Sequence, residues 1–101
     1  MKQTLISLPN QIAHHRFKKV IFDVETDGLA GNTIHCIVTK VIGGETRLFP
    51  PDKLQEAVNL LASADVLIGH NIIGFDIPVI KKHFDVTLTN HIEDTLVVSR
   101  L

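Results

Sequence analysis

Three short segments with the pattern of β-strands, separated by only a few residues, constrain the fold of this chain most strongly. They are Lys19–Val24, Ile34–Ile42 and Glu45–Phe49. The Thr26–Asn32 segment between the first two is typical of a loop, and Gly43-Gly44 before the third is typical of a hairpin. Strands this close in sequence leave no room for helical crossovers between them, so we predict an antiparallel meander of three strands.

The pattern changes after Pro50-Pro51, where a helix and a further strand are predicted. Asp52 stands where a helix N-cap is expected, and the helix runs to about Ser63. Its apolar positions share one face, at Leu54, Val58 and Leu61. Val66–Gly69 then predicts a short buried strand. Because a helix precedes this strand, we expect it to lie parallel to a neighbour in the sheet.

The last part of the chain predicts further helices. Pro78 is tolerated only in the first turn of a helix, so the helical pattern over Phe75–Phe84 should begin near Asp76. Residues 85–93 predict a loop or a short strand, and Asp94–Leu101 predicts the start of a third helix. The chain therefore predicts an α/β fold in which residues 1–18 form an N-terminal arm and residues 19–101 form one domain.

Composition excludes several classes of protein. Among 101 residues, 10 are Lys or Arg and 11 are Asp or Glu, which gives a net charge of −1, and 45% are hydrophobic. This balance excludes a disordered charged tail and disfavours nonspecific electrostatic coating of DNA. A lone cysteine, Cys36, excludes an intrachain disulfide and a cysteine-based zinc site. Without a secretory signal or an apolar run of about 20 residues, we expect a cytoplasmic protein with no membrane partner.

Two acidic residues at the end of the first predicted strand are the sharpest chemical feature. Strand alternation puts the side chains of Asp23 and Glu25 on the same face of the sheet. Adjacent carboxylates repel, and a divalent cation such as Mg²⁺ or Mn²⁺ relieves that repulsion with hard oxygen ligands. The alternative for these two residues alone is a solvated strand end.

A second polar segment, His70–Asp76, follows the fourth predicted strand, and we call it the second-motif segment. Polar residues directly after a buried strand of an α/β sheet occupy the usual place of a site. Asp76 is either a helix cap or a third acidic ligand, and Phe75 is either a core residue or part of the site. Because both segments follow central strands, Asp23, Glu25 and Asp76 should converge on a site for two metal ions.

These residues carry a resemblance to a known family. Asp23–Leu29 (DVETDGL) resembles the first motif of the DEDD superfamily of 3′–5′ exonucleases, and His70–Asp76 (HNIIGFD) resembles the second. Ile92–Leu101 (IEDTLVVSRL) is similar to the stretch after the second motif in proofreading domains of phage-type family A DNA polymerases. The resemblance runs from about Val20 to Leu101 and covers about the first half of the family's domain.

The resemblance implies a ribonuclease H-like fold and two-metal hydrolysis of the 3′-terminal phosphodiester of single-stranded DNA. It implies that Asp23 bridges both ions (Mg²⁺ or Mn²⁺), that Glu25 holds the ion that activates water, and that Asp76 helps to hold the second. It also implies a set of substrate contacts: Thr26, Gly28 and Leu29 at the terminal nucleotide, His70 and Asn71 along the strand, and Phe75 in stacking or support.

The chain departs from the family in one respect. The family's third motif, with a His or Tyr and a fourth acid on a later helix, has no counterpart here, and Asp94 with Thr95 is interpreted as a helix cap. We therefore expect a C-terminally incomplete domain with weak activity alone. The chain is then a fragment or split part that a second polypeptide or residues absent from this sequence complete. Alternatively, a symmetric copy of the chain supplies the acid, or the chain is a non-catalytic module that retains the fold.

Overall fold

Five strands and two helices make up the part of the chain that the computed structural model describes, residues 17–28 and 31–96. The strands are β1 (Lys19–Thr26), β2 (Ile34–Val41), β3 (Thr46–Phe49), β4 (Val66–Gly69) and β5 (His91–Asp94). The α-helices are α1 (Leu54–Ala62) and α2 (Ile77–Phe84). A 3-10 turn, Pro51–Lys53, leads into α1, and a π-helical turn, Ile72–Asp76, leads into α2.

The strands form one mixed sheet in the order β3-β2-β1-β4-β5. Strands β1, β2 and β3 pair antiparallel, which confirms the predicted meander. Strand β4 lies parallel to β1, as predicted, and β5 lies parallel to β4. The fold is therefore α/β, with the ribonuclease H-like mixed sheet that the resemblance implied. No helix among the described residues is long and apolar enough to cross a bilayer.

One face of the sheet forms the core with both helices. Along β1, Val20, Phe22 and Val24 point inward and are buried, whereas the residues between them are exposed. The inward face packs with buried residues of both helices: Ala57, Val58 and Leu61 of α1, and Val79 and Ile80 of α2. This alternation fixes which side chains of β1 point away from the core.

Element boundaries differ from the sequence prediction at several places. Strand β1 continues to Thr26, two residues further than predicted, because β2 pairs with it over its whole length. Asp52 does not cap α1: it lies inside the 3-10 turn, which begins at Pro51, and α1 has no side-chain cap. Residues 91–94 form a strand because β4 provides a pairing partner.

Other predictions fall partly or wholly outside the described residues. Helix α2 begins at Ile77 with Pro78 in its first turn, as predicted. Of the predicted third helix, Thr95 and Leu96 are helical, and residues 97–101 lie outside the described part of the chain. Residues 1–16 of the predicted arm and Leu29 lie outside it as well.

Candidate functional site

Two carboxylates stand side by side at the end of β1, on the face opposite the core. Asp23 and Glu25 are exposed, and Val24 between them is buried. The hydrogen bond and the negative charge of Asp23 raise the pKa of Glu25 above its ordinary value, with smaller contributions from burial and from the charge of Asp76. The two side chains therefore lie close enough for their negative charges to repel.

A third carboxylate reaches the same strand end from the other motif. Asp76 is the last residue of the π-helical turn and is only 3% exposed. Its Oδ2 accepts a hydrogen bond of 2.7 Å from the backbone N–H of Val24. The pairing of β1 with β4 ends at Ile21 and Ile68, so β1 runs on beyond its neighbour. The Asp76 carboxylate takes the place of a strand partner there.

The environment of Asp76 disfavours its negative charge. Burial raises its pKa to about 6; the Val24 N–H opposes this shift, and the charges of Asp23 and Asp94 add to it. Asp76 makes no side-chain cap hydrogen bond to α2, so the interpretation of this residue as a simple helix cap is wrong. A buried acid beside two others is typical of functional sites.

The second-motif segment is tightly packed. Asn71 has the left-handed backbone conformation, with φ of 59°, and its carbonyl accepts a 3.0 Å hydrogen bond from the N–H of Phe75. A Cβ on Gly74 would lie 2.5 Å from Oδ1 of Asn71. Glycine at position 74 therefore lets the Asn71 side chain lie across the turn that carries Phe75 and Asp76. Single π-helical turns of this kind occur frequently at functional sites.

Strand β5 holds the second-motif segment in place. The Asp94 carboxylate accepts 2.8 Å hydrogen bonds from the N–H groups of Asn71 and Ile73 and a 2.9 Å bond from that of Leu96. The bond from Leu96 is that of the predicted helix cap. The two bonds from the second-motif segment span more than 20 residues, and the cap pattern alone gave no sign of them.

Local hydrogen bonds hold the residues that follow the two carboxylates at the end of β1. The Thr26 hydroxyl donates to the carbonyl of Gly28 at 2.7 Å. The N–H of Asp27 donates to the carbonyl of Thr33, and the N–H of Thr33 donates to Oδ1 of Asp27, both at 3.1 Å. These bonds hold Thr26 and Gly28 beside the carboxylates.

The two motifs meet in one open pocket of about 380 Å³. Eight of the nine predicted site residues line it, and the ninth, Leu29, lies outside the described residues. The lining residues are Asp23, Val24, Glu25, Thr26, Gly28, His70, Asn71, Phe75 and Asp76. Val24 was not singled out from the sequence, because its contribution is a backbone N–H.

The donor chemistry of the pocket fits a hard divalent cation. Asp23 raises the pKa of Glu25 there, and burial and the charge of Asp23 raise that of Asp76; a bound cation would relieve the repulsion between these carboxylates. Among residues 17–28 and 31–96, no three His, Cys, Asp or Glu side chains are placed to bind one metal ion together. Mg²⁺ usually needs fewer protein ligands: one or two carboxylates hold it, and water and phosphate complete its shell.

Comparison with known proteins gives a structural likeness. No model of a protein family and no curated protein matches the chain. Among the solved structures that match is the family B DNA polymerase from the hyperthermophilic archaeon Pyrobaculum calidifontis, with a TM-score of 0.66 at 15% identity. The match covers 85% of this chain and 16% of that chain, so this chain spans a small part of the polymerase's length. At this identity, the likeness shows that the two proteins share a fold.

Proposed function

We propose that this chain carries part of a proofreading-type 3′–5′ exonuclease site that removes nucleotides from single-stranded DNA 3′ ends during DNA replication. The observation that carries the proposal is the meeting of Asp23, Glu25 and Asp76 in one open pocket. The matching motifs and the fold shared with a DNA polymerase support the same reaction class. We also propose a cytoplasmic location for the protein.

The three carboxylates are proposed as the ligands of two Mg²⁺ or Mn²⁺ ions. Asp23 would contribute to both ions, Glu25 to the ion nearer the attacking water, and Asp76 to the second. When bound, the ions supply positive charge at the scissile phosphate and lower the pKa of the attacking water. Asp76 is held against β1 by the Val24 N–H, so its position does not depend on the ions.

The remaining lining residues are proposed as contacts of the DNA 3′ end. Thr26 and Gly28, with Leu29 from the same motif, would contact the terminal nucleotide. His70 and Asn71 would guide the strand, and the half-buried ring of Phe75 offers a surface for a base. Stacking of this kind is tolerant of sequence, as proofreading requires.

Full activity is proposed to need residues that the two motifs do not supply. A water-orienting group contributes roughly 10²- to 10⁴-fold to such reactions. We propose that residues outside the two motifs supply that group and the fourth acid, whether in a longer chain, in a second polypeptide or in another copy of this chain. The chain by itself should therefore act slowly.

The test is shortening of a 5′-labelled single-stranded oligonucleotide in Mg²⁺ or Mn²⁺. We expect slow release of 3′ nucleotides by the wild type and its loss in Asp23→Asn. The matched control is Asp52→Asn, which makes the same chemical change at an exposed acid of the 3-10 turn. This control should retain wild-type activity.

Two outcomes would contradict the enzymatic proposal. Metal-dependent binding of the oligonucleotide without any shortening, at high enzyme concentration, would favour the non-catalytic module. Shortening that Asp23→Asn does not reduce would show that the activity comes from elsewhere, such as a contaminating nuclease.

A further inference from the structure

The dipeptide Asp94-Thr95, whose first residue ends β5, contacts the second-motif segment through both of its side chains. Asp94 is 3% exposed, and its two carboxylate oxygens receive the N–H groups of Asn71 and Ile73. Asn71 has a left-handed backbone, a conformation that is uncommon outside glycine and that hydrogen bonds from neighbouring segments help to hold. Asp94 provides that support directly, on both sides of Ile72.

Thr95 contacts the first residue of the same segment. Its Oγ1 lies 3.0 Å from Nδ1 of His70 and 3.4 Å from the carbonyl oxygen of Gly69. A hydroxyl that donates its proton to a carbonyl keeps its oxygen free to accept. With its proton on the Gly69 carbonyl, the hydroxyl would accept the Nδ1–H of His70, and the ring would then present Nε2 as an acceptor.

We infer that Asp94 and Thr95 are positioning residues for the proposed site: Asp94 sets the backbone of the second-motif segment, and Thr95 sets the orientation and tautomer of His70. The inference deepens the proposed function, on which its consequence for DNA rests. Neither residue lines the pocket, so neither contacts the DNA in this assignment. Their effect passes through His70 and Asn71, which do line it.

The geometry distinguishes this role from that of a simple helix cap. A cap needs only the bond between the Asp94 carboxylate and the N–H of Leu96. Two further bonds to the Asp94 carboxylate come from the second-motif segment. Thr95 also contacts this segment, at the ring of His70. A change confined to the cap would leave the environment of His70 unaltered.

The first experiment uses Thr95, which is exposed, so its substitution should not prevent folding. We compare wild type, Thr95→Val and Thr95→Ser by the ring ¹⁵N chemical shifts of His70 at a pH where the ring is neutral. The wild type and Thr95→Ser should hold the proton on Nδ1, and Thr95→Val should lose this preference. Identical shifts in all three proteins would overturn the assignment for Thr95.

The second experiment uses Asp94→Asn, with Val58→Ala in the buried face of α1 as a control that lowers stability and changes no hydrogen bond of the segment. Amide hydrogen exchange at Asn71 and Ile73 should accelerate at least tenfold more in Asp94→Asn than in the control, measured under conditions where both are folded. Equal acceleration in the two variants would overturn the assignment for Asp94. If Asp94→Asn does not fold, Asp94→Glu is measured in the same way.

Binding of a single-stranded oligonucleotide in Ca²⁺ connects the inference to DNA. Thr95→Val should weaken binding about fivefold, the loss expected for one hydrogen bond, and Thr95→Ser should restore it. Unchanged binding in Thr95→Val would overturn the consequence for DNA. A wild type that binds no oligonucleotide would overturn the proposed function, and the nitrogen shifts and exchange rates would still decide how the segment is held.

Discussion

Replacing Asp76 with asparagine should stabilise the metal-free protein at neutral pH. The amide carbonyl oxygen of the introduced asparagine can accept the hydrogen bond from the Val24 N–H, as Oδ2 of Asp76 does at 2.7 Å. The backbone N–H of Asp76 itself also favours the carboxylate, and an amide oxygen can accept from that group as well. The substitution therefore removes a buried negative charge and keeps the shape and the bond.

The size of the effect follows from the pKa of Asp76. Burial and the neighbouring carboxylates raise that pKa from 3.8 to about 6. At about 1.4 kcal/mol per pH unit, the ionised form costs the native state up to about 3 kcal/mol. This is an upper limit, because water entering the open pocket reduces the cost.

The sign of the pH dependence follows from proton linkage. Native Asp76 binds its proton more tightly than the unfolded chain does, so wild-type stability falls as the pH rises from about 4 to about 6. Above this window the full cost is present, and below it the cost vanishes. Asp76→Asn should therefore be up to about 3 kcal/mol more stable than wild type at pH 7.5 and nearly equal to it at pH 4.

Urea unfolding with EDTA present, at pH 4, 5, 6 and 7.5, measures this difference. Asp52→Asn is the control, because it removes an exposed carboxylate and should follow the wild type at every pH. An Asp76→Asn protein that is less stable than wild type at pH 7.5, by an amount independent of pH, would refute the reasoning. Such a result would show that burial and the neighbouring acids do not destabilise the ionised form of Asp76.

Three further substitutions test the packing around the site and the core, each by urea unfolding. Thr39→Val should stabilise the protein by about 1 kcal/mol, because the buried Thr39 hydroxyl has no hydrogen-bond partner among the described residues; a loss of stability would contradict this. Gly69→Ala should destabilise by about 2 kcal/mol, because its Cβ would overlap the Ile72 side chain and lie 2.9 Å from the carbonyl oxygen of Phe22; wild-type stability would show that β4 can shift. Asn90→Ala should cost about 1 kcal/mol, because the Asn90 amide donates to the carbonyl of Leu61 in α1 at 3.0 Å and to that of Ala64 beyond the helix at 2.6 Å; an unchanged midpoint would show that water replaces it.

Local patterns predicted most of the fold. The β-branched runs, Gly43-Gly44 and the Pro78 constraint gave the meander, the parallel strand β4 and the start of α2. Boundaries that depend on distant partners were not predictable. Strand β5 forms because β4 lies beside it. Strand β1 extends to Thr26 because β2 lies beside it and pairs with it as far as that residue.

The site shows the same division between local and distant interactions. Strand alternation placed Asp23 and Glu25 on one face, and that part of the pocket followed from sequence. The burial of Asp76 did not, because its partner is the backbone N–H of Val24, 52 residues away. The contacts of Asp94 with Asn71 and Ile73 likewise depend on how β5 sits beside β4, for which a sequence pattern carries no signal.

Calorimetric titration of the chain with Mn²⁺ tests most directly whether the carboxylates of the two motifs form one metal site. The account predicts saturable binding by wild type and Asp52→Asn, and loss or strong weakening of binding in both Asp23→Asn and Asp76→Asn. A folded wild-type chain that binds neither Mn²⁺ nor Mg²⁺ would contradict it. Binding that survives in both Asp23→Asn and Asp76→Asn would contradict it as well.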